Sequence, residues 1–179
     1  MTYRGQIVRA FVVVAILHWS FFAVGATKCR IEVFKSKREL QFFQAEKLVK
    51  TYRVALGTNP KPPKEREGDG ATPEGKYYIC RKNPKSQYYL SLGISYPSPV
   101  DAARGLKQGL ITKAEHKAIT EANRRNLTPP WGTKLGGQVY IHGRGSKSDW
   151  TLGCIALEDS DIRELYPLVP LGTPITIHE

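Results

Sequence analysis

The chain shows no zinc-finger spacing, no aromatic run of the kind that stacks RNA bases, and no basic helix. Those gaps matter because 27 Lys and Arg stand against 16 Asp and Glu, a formal net charge of +11 over 179 residues. Nucleic acid is the usual partner of so basic a protein. With its signatures missing, the excess charge suits another anionic partner or a solvated surface. Internal repeats and low-complexity tracts are also missing, so a repeat architecture is not expected. No cluster of His, Cys, Asp and Glu has metal-ligand spacing, and neither a metal nor any other cofactor is expected. Cysteine is scarce, with three in all, and an odd count leaves one thiol over after any pairing. Cys29 and Cys80, each beside a predicted strand, are the candidates for a bridge; bridged and unbridged states both stay open.

What is present begins with Met1 to Ala26. Arg4 and Arg9 form a basic start, Ala10 to Gly25 carries no formal charge and is mostly apolar, and Val24-Gly25-Ala26 offers small residues for cleavage. This reads as a secretory signal, with an uncleaved anchor as the alternative. Either reading expects an exported protein of the periplasm or cell envelope. Without Arg4 and Arg9 the formal charge falls to +9. Residues 27–179 have the length of one domain, taken here as a monomer.

The stretch most informative about chemistry runs from Val139 to Leu157. Val139-Tyr140-Ile141 is a β-favouring run that ends on His142 and Gly143, placing an imidazole at a strand end beside a loop. Eleven residues separate His142 from Cys154, which follows Gly153, whose missing side chain would let a carbonyl approach the backbone N–H groups of Gly153 and Cys154. A thiol is only slightly ionised at neutral pH, so a neighbouring base makes it an efficient nucleophile. A buried structural cysteine and a satisfied core histidine are the plainer reading of the same pair.

The flanking residues favour chemistry. Ile141-His142-Gly143, followed by Asp149-Trp150-Thr151-Leu152-Gly153-Cys154-Ile155-Ala156-Leu157, resembles the signature of the L,D-transpeptidase (YkuD) catalytic domain. The resemblance extends upstream through Thr51 to Gly57, Gly68 to Gly75 and Tyr77-Tyr78-Ile79. It implies a cysteine acyl-transferase working on peptidoglycan stem peptides. Cys154 would be the nucleophile, His142 the base, and the backbone carbonyl of Gly143 the group that orients the imidazole. It also implies a diaminopimelate-type acyl carbon as the target and terminal D-alanine as the leaving group. Tyr140, Asp149, Trp150 and Thr151 are the candidate substrate-side residues. Many members carry a His two residues before the Cys and an Arg two residues after it, where this chain has Leu152 and Ala156. That variant resembles a subgroup containing both cross-linking and hydrolytic enzymes. The acceptor is thus expected to be a second stem's amine or an envelope-protein lysine, with hydrolysis by water as the alternative. A non-catalytic peptidoglycan-binding protein is the remaining reading.

For the fold, Ile31–Phe34 and Leu40–Phe43 predict a hairpin around Lys35 to Arg38, and Leu48 to Leu56 predicts a third strand. Gly57 to Gly75, dense in Pro, Gly and charge, predicts a long surface loop. Strands are expected over Lys76–Cys80 and Tyr88–Ile94, separated by a turn at Asn83-Pro84. Ser98 and Thr112 then open two short helices, ending at Gln108 and Asn126, whose thin apolar content predicts that they lie on the sheet. Asp159 or Ser160 should cap a third helix that Pro167 stops, before a final strand at Ile175–Ile177. The sum is a mainly β sandwich or barrel with a two-helix insertion and one C-terminal helix, the fold the resemblance also implies.

Overall fold

The computed structural model describes Met1 and residues 28–179. The expected leader therefore lies, apart from Met1, outside the described residues. Among those described, no helix is long and apolar enough to cross a membrane.

The architecture is mainly β, as expected. Eight strands form one curled sheet in the order β3-β2-β1-β8-β4-β5-β6-β7. They are β1 (Cys29–Phe34), β2 (Glu39–Gln44), β3 (Lys47–Arg53), β4 (Gly75–Ser86), β5 (Tyr89–Ile94), β6 (Tyr140–His142), β7 (Ile155–Ala156) and β8 (Pro174–His178). The helices are α1 (Pro99–Lys107) and α2 (Lys113–Arg124), inserted between β5 and β6, and α3 (Asp159–Leu168) after β7. Two pairings are parallel, β1 with β8 and β6 with β7, and the remainder are antiparallel. Alternation decides the inward face: Ile31 and Val33 of β1, Leu40 and Phe42 of β2, and Ile175 and Ile177 of β8 enter one apolar core. Ile162 and Leu165 of α3 close it from the side.

Several local expectations need correction. β3 ends at Arg53, and beyond it Ala55 is held by an isolated bridge to Ala156. Both alanines are buried, which departs from the expected in-and-out alternation at that point. β4 continues through Asn83-Pro84 without a turn there, since β5 keeps pairing as far as Ser86 opposite Tyr89. Pro84 falls where the register shifts between Asn83 and Ser86, a place where a missing N–H costs no ladder bond. The inserted helices do not rest on the main core. Ala102, Ile111 and Ile119 gather with Leu135 in a separate cluster. Both helices start on capping boxes, Ser98 with Asp101 and Thr112 with Glu115. Helix α3 begins after Glu158 with no side-chain cap, and Pro167 lies inside its last turn. The carboxylates that could have capped it are committed to the preceding loop: Glu158 accepts from Ser146 N–H and Asp159 from Arg144 N–H, each at 2.8 Å.

Candidate active site

β6 carries the histidine between two partners. His142 is opposite Ser91 of β5 on one side and Ala156 of β7 on the other. Ile141 and Ile155 face each other across the parallel pair and are fully buried. Extending that register by one residue sets Tyr140 opposite Cys154, and the Tyr140 N–H donates to Cys154 Sγ at 3.4 Å. Because strand side chains alternate, Cys154 and His142 emerge on one face, one strand across and two residues along. The two-residue strand β7 thus fixes the spacing between them.

The imidazole is fixed on three sides. His142 is 2% exposed, and its Nδ1 donates to the Gly143 carbonyl at 2.7 Å. Its ring stacks on Tyr88 with centroids 4.7 Å apart and meets Trp150 edge-on at 5.6 Å. Holding the proton on Nδ1 leaves Nε2 with a lone pair. Burial lowers the imidazole's pKa, and the bond to Gly143 only partly opposes this. The thiol is pushed the other way: burial raises its pKa, against the Tyr140 N–H and the charge of Lys64. The resting pair is therefore a neutral thiol and a neutral imidazole. In this state Cys154 Sγ has the Gln138 carbonyl as acceptor at 3.7 Å.

The turn before Cys154 is braced from within. Thr151, 4% exposed, donates its hydroxyl to the Cys154 carbonyl at 2.7 Å and accepts from the Gly153 N–H at 3.1 Å. Gly153 has φ +127°, and a Cβ there would lie 2.6 Å from the Ala71 carbonyl oxygen. Only glycine fits this turn against the loop after β3. That loop docks through Gly57, whose added Cβ would sit 3.1 Å from the Gly153 nitrogen, and through Thr58 N–H donating to Thr151 O at 2.9 Å.

These elements surround a cleft of about 920 Å³. Tyr140, His142, Trp150, Thr151, Gly153 and Cys154 line it, joined by Lys64 and Glu67, by Tyr88 and Ser91, and by Trp131 and Gln138. Tyr140 packs edge-on against Trp131 at 5.6 Å.

A family model, YkuD, the L,D-transpeptidase catalytic domain, matches residues 29–177. The chain belongs to this family. The L,D-transpeptidase domain is 32% identical over 145 residues to the Escherichia coli K12 protein named "Putative L,D-transpeptidase YafK", covering 78% of this chain and 46% of that one. Among solved structures it is similar to the helical cell shape determining protein Pgp2 from Campylobacter jejuni, with a TM-score of 0.58, 22% identity, and 86% and 48% of the two chains covered. An L,D-transpeptidase from Mycobacterium smegmatis has a TM-score of 0.52 at 11% identity, with 86% and 59% covered. These two likenesses establish the fold. The chain spans about half the length of the curated relative it matches.

Within the L,D-transpeptidase domain, several of the residues marked in the sequence have other duties. Asp149 does not line the cleft. Its carboxylate takes two charge-assisted bonds from Arg38 and one from the Leu56 N–H at 2.9 Å, tying the 144–150 loop to the sheet. Thr151 spends its hydroxyl on the turn, and the Gly153 N–H is occupied by that hydroxyl, so Gly153 is not an open oxyanion donor. The Cys154 N–H has no partner among the described hydrogen bonds.

The proposed Cys29–Cys80 bridge is not formed, and both thiols are free. β1 and β4 lie on opposite sides of β8, about two strand spacings or ~10 Å apart, whereas a disulfide needs Cα atoms within about 7 Å. Cys29 points into the core with Ile31, while Cys80 alternates away from buried Ile79. Cys29 Sγ lies 3.4 Å from Thr173 Oγ1, and Cys80 Sγ donates to the Gly93 carbonyl at 3.4 Å. Leu152 is 82% exposed at the rim of the cleft, and Ala156 is 0% exposed between Ala55 and His142, leaving no room there for an arginine.

Lys64 and Tyr88 also line the cleft, with no local signal in the sequence to mark them. A lysine within a run of charge and proline looks solvated, and Tyr88 looked like one more strand residue. Only the folded loop and hairpin bring them to the cleft.

Proposed function

We propose that this chain is a cysteine acyl-transferase that works on peptidoglycan stem peptides through a thioester on Cys154. The observation that carries the reading is the shared face of β6 and β7. It presents a thiol and an imidazole to one cleft, with the imidazole's Nδ1 fixed on Gly143 O and Nε2 left basic.

In the first step His142 Nε2 takes the thiol proton as the sulfur attacks the acyl carbon of a diaminopimelate-type residue. The carbonyl's π electrons move to oxygen, and the Cys154 N–H is placed to donate to that oxyanion. Collapse of the intermediate expels the amine of terminal D-alanine, which takes the proton from His142, and leaves the thioester. An incoming amine then attacks the thioester, gives its proton to His142, and releases Cys154 as a thiolate that takes this proton back from the imidazole. With a second stem as acceptor the product is a cross-link; with a protein lysine it is an attached protein. A neutral resting pair suits this scheme, because the base is unprotonated when the substrate arrives. A location in the cell envelope follows from the substrate.

The test has two parts. A carbapenem, whose ring mimics the stem's acyl group, should add once to the purified protein by intact mass. Cys154→Ala should lose the adduct. Purified muropeptides incubated with the enzyme should give dimers. Shortened stems in place of dimers would make it a hydrolase, and no adduct together with no product would sink the acyl-transfer reading.

A further inference from the structure

One buried charged group lies in the cleft without a part in this scheme. Lys64 belongs to the loop between β3 and β4, and its side chain is 3% exposed. Its ammonium donates to the Arg66 carbonyl at 3.0 Å and to Asp69 Oδ1 at 2.8 Å. An ammonium has three donors, so one is uncommitted among the described hydrogen bonds. The charge is fixed in place from several directions. Asp69 is gripped by the N–H groups of Glu65, Arg66 and Ala71, and Arg104 donates to the Lys64 carbonyl at 3.0 Å. The bonds to Arg66, Lys64, Glu65 and Ala71 outweigh the effect of burial and hold the Asp69 carboxyl below its ordinary pKa.

The position of this ammonium is what gives it a use. A Cβ on Gly153 would lie 3.8 Å from Lys64 Nζ, which puts the charge beside the residue that precedes the nucleophile. On the same turn the Gly153 N–H is already taken by Thr151, so the backbone there offers the Cys154 N–H and lacks a second donor. Burying an ammonium is costly unless it is well paired, and a loop needing only a spacer would not require one.

We propose that Lys64 is a fixed positive charge facing Cys154, which stabilises the thiolate and then the oxyanion that forms when the thiolate attacks. The second half rests on the acyl-transfer reading; the first does not. As the proton leaves for His142, the negative charge moves from sulfur to the carbonyl oxygen, within the cleft that Lys64 and Cys154 both line. The other titratable groups lining the cleft are Glu67, Tyr88, Tyr140 and His142. Of the ionised groups, Lys64 is the one that opposes burial at the thiol. The rival role is structural, with Lys64 serving only to organise the loop through Asp69.

The deciding measurement is the pH profile of Cys154 alkylation by iodoacetamide, followed on the Cys154 peptide by mass spectrometry. Lys64→Met should move the profile up by about one pH unit, a roughly tenfold slower reaction at neutral pH. Lys64→Arg should hold it close to wild type. In the muropeptide assay kcat should fall for Lys64→Met while KM stays within about twofold. A folded Lys64→Met with an unmoved profile would overturn the proposal, whatever its melting temperature.

If that variant does not fold, the wild-type chain labelled with ¹⁵N-lysine still decides. The Lys64 ammonium signal should shift as Cys154 titrates and stay still in Cys154→Ala; no shift in wild type overturns the proposal. If the protein turns over no muropeptide and takes no carbapenem, the oxyanion half is overturned, while the alkylation profile still decides the thiolate half.

Discussion

Thr151→Val separates the turn's internal brace from the chemistry it supports. Valine has nearly the shape of threonine, so the change deletes a hydroxyl and little else. Two bonds go with it: the donation to Cys154 O at 2.7 Å and the acceptance from Gly153 N–H at 3.1 Å. The Gly153 N–H is buried and is left without a partner, and such an orphan costs about 1–3 kcal/mol. The Cys154 carbonyl is only partly buried, so water recovers part of its loss, and the sum comes to roughly 2–3 kcal/mol.

A domain of this size loses about 2–4 °C of melting temperature per kcal/mol, which gives a fall of roughly 5–10 °C. Thr151→Ser keeps both bonds and gives up one methyl group, about 1 kcal/mol. The turn also aims the sulfur, and a shift of order 1 Å costs about a hundredfold in rate. Thermal melts in reductant, together with the rate of carbapenem acylation, measure both effects. A valine variant melting within about 2 °C of wild type and acylating at the wild-type rate would refute the brace.

Asp149→Asn should lower the melting temperature by the equivalent of about 1–2 kcal/mol, because Arg38 loses its charged partner, and should leave KM unchanged. A raised KM with an unchanged melt would return Asp149 to the substrate side. The pH dependence has a defined sign. Burial holds the His142 pKa below the ordinary imidazole value of about 6.5, so activity should persist through neutrality and be lost only below that value. The unfolded chain protonates this histidine first, so its contribution to stability is present above about 6.5 and is lost as the pH falls towards the lower folded value. Kinetic profiles and melts from pH 8 down to 4 check both, and an acid limb above 6.5 would contradict the burial argument.

The hairpin, the Ser98 helix start, the Thr112 capping box, the C-terminal strand and the placing of His142 at a strand end were legible because each rests on local chemistry: alternation, a cap three residues ahead of its carboxylate, a β-rich run ending on His-Gly. What was not legible depended on which strands become neighbours. Cys29 and Cys80 looked like a pair until β8 came between them. Asp149 and Thr151 looked like substrate contacts because the motif places them beside the nucleophile. Their side chains turn instead to Arg38, Leu56 and the backbone of the Cys154 turn. Lys64 was read as part of a solvated loop, and no local pattern announces that a loop lysine will be folded against a glycine ninety residues on. The helix α3 cap failed for a similar reason, since Glu158 and Asp159 were claimed by Ser146 and Arg144.

The pairing of β6 with β7 carries a further consequence. Since Cys154 is set against Tyr140 by parallel ladder register, the distance between sulfur and imidazole does not depend on how much chain connects them. The connecting segment is exposed at Lys147 and Ser148, between the anchors at Ser146 and Asp149. Its length is therefore a free variable. Residues can be inserted or removed at that point while Cys154 and His142 keep their relative geometry.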